Sequence, residues 1–243
     1  MKKNISFLFA AMLTSSFAYA GAHWEYSGTE GPDSWGKLAP EFAACANGKN
    51  QSPVDLKGAI KGQLAPIKFD YKTNAVEIVN NGHTIQANYL PGSTITLDGV
   101  QFELKQIHFH APSENLINGK SYPMEMHLVH ADKDGNLAVV GVMFEEGAAN
   151  PALAGLWKQM PEKGGEKNAL AAQVNALKLL PQQQAYFRFN GSLTTPPCSE
   201  GVRWMVMKKP LTASKEQLHA FEHTMHHANN RPVQSVNARS IIE

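Results

Sequence analysis

Between residues 65 and 145 short apolar segments follow one another at intervals too short for a crossover helix. No other feature constrains the fold as much. The strand-like segments are 65–71, 75–80, 83–90, 93–97, 100–110, 124–131 and 137–145. Asn81-Gly82, Asp98-Gly99, Asn118-Gly119 and Asp134-Gly135 punctuate them with residues that tolerate the left-handed backbone of tight turns. A parallel connection needs a dozen or more residues, so strands spaced this closely pair antiparallel. Further strands are predicted at 185–190 and 202–208. Helical patterns are predicted at 150–160, 168–178 and 213–228, the last opened by Thr212 or Ser214 with Glu216 close behind. Residues 21–63, rich in Gly, Pro and aromatics without periodicity, read as a long irregular arm. The fold class expected is α+β and mostly β, a largely antiparallel sheet with helices at its margins.

The first 20 residues do not belong to that domain. Lys2 and Lys3 form a positive head, Ile5 to Leu13 an apolar centre, and Ala18-Tyr19-Ala20 a small-x-small cleavage site. The apolar run falls short of the ~20 residues that span a bilayer, and Thr14, Ser15 and Ser16 interrupt it. Residues 1–20 are therefore predicted to be a cleaved signal peptide, and residues 21–243 one domain with a well-buried core. The short two-lysine head suggests a bacterial export signal, placing the chain first in the periplasm and second in the medium. No later segment is apolar enough to cross a membrane. A formal net charge of +1 gives no reason to expect nucleic acid or an acidic surface as partner. The only cysteines are Cys45 and Cys198. In an oxidising compartment one disulfide is the simplest reading, closing a loop of about 150 residues, with two free buried thiols as the alternative.

The chemistry concentrates in Leu104-Lys-Gln-Ile-His-Phe-His110 and Met124-Glu-Met-His-Leu-Val-His130. Residues i and i+2 of a strand share a face. His108 and His110 therefore project together while Ile107 and Phe109 face the other way. A third imidazole on a neighbouring strand would complete three corners of a tetrahedron and leave the fourth open, the pattern of catalytic zinc. His127 and His130 differ in parity and compete for that place. Glu125 shares a face with His127, as Gln106 does with His108. Metal-bound imidazoles usually pass their other N–H to a carboxylate or carbonyl. That selects His127 and leaves His130 structural. His223, His226 and His227 also have metal-compatible helical spacing, but read as a solvated helix face. In Gly191-Ser-Leu-Thr-Thr-Pro-Pro-Cys198 two prolines lock the backbone after the hydroxyls of Thr194 and Thr195.

Taken together, these segments resemble the α-carbonic anhydrases. The resemblance runs in order through Gln51-Ser-Pro-Val-Asp55, Asn80-Asn-Gly-His83, Gln106-Ile-His-Phe-His110, Ser113-Glu114, Glu125-Met-His-Leu-Val-His130, Leu137-Ala-Val139, Ser192-Leu-Thr-Thr-Pro-Pro197 and Asn230-Arg-Pro-Val-Gln234. It covers nearly the whole mature chain and implies a single domain built on a large twisted sheet. It also implies Zn2+ held by His108, His110 and His127, with Gln106 and Glu125 behind them. Thr194 matches the hydroxyl that orients the nucleophile and donates its own proton to Glu114, and Thr195 its neighbour at the bicarbonate site. His83 matches the proton-shuttle histidine, with Tyr26, Asn81 and Gln86 at positions that order intervening waters. Val129, Val139, Leu193, Val202 and Trp204 match an apolar wall for carbon dioxide. Cys45 and Cys198 match the disulfide of secreted members. Gln86 stands where Asn is common, and Asn115 where His is common; both lie outside the ligand set.

The function implied is reversible hydration of carbon dioxide to bicarbonate and a proton, by attack of a zinc-bound hydroxide with His-mediated proton transfer. The partner is a small molecule, and the chain is expected as monomer or homodimer. Two other readings compete. His108-x-His110 with Glu114 mimics part of a cupin motif, but the glycine that motif needs at position 102 is Phe. An exported zinc-binding protein without activity would be expected to lack a ligand, and all three are present.

Overall fold

Strands form where β-branched and aromatic residues alternate with polar ones, and in this chain they assemble into one broad sheet. The computed structural model describes residues 22–171 and 174–243. The predicted signal peptide lies outside them. The strands are β1 (Asp55–Leu56), β2 (Lys68–Asp70), β3 (Ala75–Asn80), β4 (Ile85–Tyr89), β5 (Thr94–Leu97), β6 (Val100–His110) and β7 (Leu116–Ile117). They continue as β8 (Met124–Ala131), β9 (Leu137–Glu146), β10 (Lys167–Ala169), β11 (Tyr186–Ser192), β12 (Glu200–Met207) and β13 (Leu211–Ala213). The main sheet runs β10-β3-β4-β6-β8-β9-β12-β11, with β5 on β6, β2 on β5 and β13 on β9. It is antiparallel except where β12 and β13 run parallel to β9; the separate pair β1 and β7 is also parallel. Among the described residues no helix is long and apolar enough to cross a membrane.

The two faces of the sheet carry different cores. On one, Ile107, Phe109, Met126, Leu128, Val140 and Val142 join the larger cluster with residues of two helices, Pro151–Trp157 and Lys215–Met225. On the other, Val139, Met143, Phe187, Phe189, Val202, Trp204 and Val206 pack with Val54, Leu56 and Tyr122. β6 keeps its apolar residues on the larger core by means of a bulge. Leu104 pairs with His130 and Gln106 with the adjacent Val129, so Lys105 is an extra residue. Phe102 and Leu104 face the larger core from even positions, and Ile107 and Phe109 from odd ones. The bulge is what turns His108 and His110 away from that core.

All three predicted helices change in the structure, the one expected at 150–160 shortening to Pro151–Trp157. Within 168–178, Lys167–Ala169 instead pairs antiparallel with Val79, Ile78 and Glu77 at the edge of β3. Asn175 then accepts from the Leu177 N–H to start a 3-10 turn, Ala176–Leu179. Unpaired backbone groups on the β3 edge outweigh the helical preference that alanine and leucine give this stretch. The last helix spans Lys215–Met225 rather than 213–228, because His226 takes the left-handed conformation and ends it. Residues 22–63 are mostly irregular as expected, broken by single turns of helix at Trp35–Leu38 and Ala44–Asn47.

Candidate metal centre

His108 and His110 project from β6, and the antiparallel register sets His127 of β8 opposite His108. The ring centroids are 5.0, 5.1 and 4.6 Å apart, and one nitrogen from each imidazole lies within 4.8 Å of the other two. The remaining nitrogens face acceptors. His108 Nδ1 donates to Gln106 Oε1 at 2.8 Å, and His110 Nδ1 to the Asn229 carbonyl at 2.7 Å. His127 Nε2 lies 3.0 Å from Glu125 Oε1, without the alignment of a full hydrogen bond. These partners assign the tautomers, so His108 and His110 turn Nε2, and His127 turns Nδ1, to a common centre. His110 Nε2 is buried with no partner in the protein. Burial holds His110 down to about 4 and the other two well below the usual histidine value, the neighbouring imidazoles adding to the effect on both. Three neutral nitrogens with lone pairs turned inward and no oxygen cage suit zinc rather than calcium or magnesium. Among the described residues this is the one group of three or more such side chains placed to hold a metal.

Two carboxylates frame the centre. Glu125 Oε2 accepts from the backbone N–H groups of Glu114 (2.9 Å) and Asn115 (2.8 Å), and Oε1 accepts from Asn115 Nδ2 at 2.8 Å. Asn115 Oδ1 accepts from Val54 N–H, which fixes the orientation of its amide. Asn115 therefore serves the ligand frame beneath the centre, not the route to solvent. Glu114 Oε1 accepts from Arg231 N–H at 2.9 Å, while Oε2 lies 3.4 Å from His110 Nε2. Burial pushes the Glu114 carboxyl up to about 8, against the pull of hydrogen bonds from Arg231 N–H and the Thr194 hydroxyl. Thr194 is buried in the turn between β11 and β12, closed by Leu193 N–H to Ser199 O and Cys198 N–H to Thr195 O. Cys45 and Cys198 form a disulfide at the end of that turn, and Gln51 Nε2 donates to the Cys198 carbonyl.

The apolar residues singled out in the sequence gather on the same side of the sheet. Val139, Val202 and Trp204 are buried together, with Val129 and Leu193 packed against them, and the Trp204 ring meets His127 edge-on at 4.8 Å. Thr195 is half-buried nearby in sequence. His83 stacks on Trp24 at 3.8 Å, with Tyr26 at 6.4 Å. Burial lowers the His83 pKa, opposed by Glu25 and reinforced by His23 and His227. Burial, then the charge of Glu114, keeps the Tyr26 phenol protonated. Asn81 Oδ1 accepts from the His83 and Thr84 N–H groups and so shapes the turn that presents His83. Gln86, opposite His108, donates to Asn88, which donates to Glu77.

Sequence reasoning missed three contributors. Asn229 holds His110 through a backbone carbonyl, which has no side-chain signature. Its amide accepts from Ala111 N–H and donates to the carbonyls of His83 and Phe109. Arg231 is buried with its guanidinium on Gln51 Oε1 and the carbonyls of Ser52 and Cys45. Trp24 sits in the stretch read as irregular. The two decoys separate as expected. His130 is sealed in the larger core's face against the Tyr71 hydroxyl (2.7 Å) and the Ala138 carbonyl, while His223, His226 and His227 are exposed.

A buried three-imidazole centre lies on a mostly antiparallel sheet with a hydroxyl–carboxylate pair beside it, a group of side chains capable of holding a metal ion. A family model described as eukaryotic-type carbonic anhydrase matches residues 30–243. The carbonic anhydrase of Pectobacterium carotovorum is 48% identical over 243 residues, covering 100% of both chains. That of Klebsiella pneumoniae is 50% identical over 224 residues, 91% of each. The α-carbonic anhydrase of Thermovibrio ammonificans, solved with the inhibitor sulfanilamide, superposes with a TM-score of 0.91 at 52% identity, covering 92% of this chain and 100% of that one. The chain belongs to the carbonic anhydrase family and is an enzyme of that family.

Proposed function

We propose that the protein is a zinc enzyme that reversibly hydrates carbon dioxide to bicarbonate and a proton, with His108, His110 and His127 as the metal ligands. The observation that carries this reading is the inward-facing, unpartnered and buried Nε2 of His110, converging with two other neutral imidazole nitrogens. Zinc bound there supplies a Lewis acid that lowers the pKa of water from 15.7 to about 7, a value established for carbonic anhydrase itself, and a positive charge that favours ionised Glu114.

The chain's own groups do the rest. Thr194 donates its proton to Glu114, so only its lone pairs remain to face the centre. It therefore accepts a hydrogen bond and selects a nucleophile that still carries a proton. Arg231 N–H keeps Glu114 turned to receive that bond. Val129, Val139, Leu193, Val202 and Trp204 hold an apolar substrate beside the nucleophile, where orientation lowers the barrier. Thr195 borders the product anion. His83 accepts the released proton, since an imidazole titrates near neutral pH, with Tyr26, Asn81 and Gln86 along the path. The leader and the disulfide support export to the periplasm after cleavage following Ala20.

Stopped-flow carbon dioxide hydration with and without a chelator, beside elemental analysis of the mature chain, tests the reading. One zinc per chain and chelator-sensitive hydration are expected. A chain without tightly held zinc removes the ligand assignment, and a zinc-loaded chain without hydration favours the binding-protein reading.

A further inference from the structure

β9 is buried on both faces and reads Leu-Ala-Val-Val-Gly-Val-Met-Phe from Leu137, and a glycine inside such a strand weakens it. Gly141 does not have the positive φ that would demand glycine. The demand is for space. The register places Gly141 directly opposite His127 on one side and Val206 on the other. A Cβ at position 141 would lie 3.0 Å from Glu125 Oε1 and 3.2 Å from Val206 Cγ2. That Oε1 is the oxygen 3.0 Å from His127 Nε2.

The carboxylate has nowhere else to go. Its Oε2 is held by two backbone N–H groups and its Oε1 by Asn115 Nδ2, whose own Oδ1 is tied to Val54 N–H. Glu125 and Val206 are fully buried, and both strands beside β9 are locked into its ladder. Even one methyl at 141 would have to displace Oε1, the atom that faces His127.

We propose that Gly141 is a positioning residue whose missing side chain forms the slot in which Glu125 lies against His127, and that it thereby sets how firmly the centre retains zinc. This rests on the zinc reading above. It assigns to a strand glycine a role that would otherwise pass as a packing accident.

The test follows zinc leaving the holoenzyme into excess chelator, with no activity measurement. Gly141→Ala is expected to release zinc roughly 10–100-fold faster than wild type, the range for a disturbed partner of a metal-bound histidine. Removing the carboxylate should remove the effect. The double variant Gly141→Ala/Glu125→Ala is expected to fold wherever Glu125→Ala folds, and to release zinc within about twofold of it. Adding Val206→Ala to Gly141→Ala should not restore the wild-type rate. Wild-type release from Gly141→Ala overturns the proposal, as does a full additional effect in the Glu125→Ala background or rescue by Val206→Ala. The double variant also decides the matter if Gly141→Ala alone does not fold. A wild-type chain that holds no zinc fails the ligand assignment itself, an outcome distinct from these.

Discussion

His127 and His130 stand three positions apart on one strand, and their opposite parity gives them opposite chemistry. His127 faces the centre beside Glu125. His130 faces the larger core, between the Tyr71 hydroxyl and the Ala138 carbonyl, and burial holds its pKa down to about 4. A histidine depressed in the folded state takes up its proton more readily when unfolded. Its stabilising effect is complete above pH 6.5 and is lost as pH falls from 6.5 toward 4. At 1.36 kcal/mol per pKa unit the loss approaches about 3 kcal/mol. Urea unfolding at pH 7 and pH 4.5 should show a drop in wild type that is smaller in His130→Gln, the other three buried histidines supplying the remainder; equal drops in both would clear His130 of this role. Thr194, in the turn after β11, and Glu114, in the bend after β6, lie beside the centre without being among the three imidazoles. Thr194→Ala and Glu114→Gln are each expected to lower hydration by roughly 10²-fold, the scale of a lost positioning hydrogen bond, with zinc retained. Full turnover in either variant would refute that role.

At the scale of elements, the bulge in β6 is the device on which the centre turns. Apolar residues occupy even positions up to Leu104 and odd positions from Ile107, and Lys105 absorbs the difference. A one-residue slip moves every side chain to the other face of a sheet. Deletion of Lys105 removes the extra residue and with it the need for the bulge, so Phe102, Leu104, Ile107 and Phe109 are expected to keep the core face in simple alternation and His108 and His110 the other, with zinc retained by elemental analysis. Lys105→Ala, which keeps the residue count, should retain zinc, with stability changed by no more than about 0.5 kcal/mol. Loss of zinc by the deletion variant would mean that Lys105 is not merely the extra residue of a bulge. The apolar alternation at 102, 104, 107 and 109 made this change of phase legible in principle. The pairing of Lys167–Ala169 with the β3 edge was not, because a three-residue exposed strand has no periodicity to read.

For the molecule as a whole, the Cys45–Cys198 bond spans 153 residues and ties the irregular N-terminal arm to the turn that carries Thr194. Gln51 and Arg231 extend that tie, reaching the carbonyls of Cys198, Ser52 and Cys45. Chain-entropy reasoning values a cross-link of that length at about 5 kcal/mol. Cys45→Ser/Cys198→Ser is expected to lose about 2–5 kcal/mol in urea unfolding. Hydration at a given temperature should fall with it, as the Thr194 turn loosens. A loss below about 1 kcal/mol would show that packing alone holds the arm.

Local pattern by itself determined most strand positions, the shared face of His108 and His110, and the choice of His127 over His130. Each depends on period-two alternation within a few residues. Tertiary structure alone decided what closes around them: the Asn229 carbonyl on His110, the Asn115 amide on Glu125, and the empty volume at Gly141. A backbone carbonyl carries no residue signature, and vacant space is a property of the strands on either side. Those contacts join residues of different elements, ten to more than a hundred positions apart, so they exist only once the sheet has set its register.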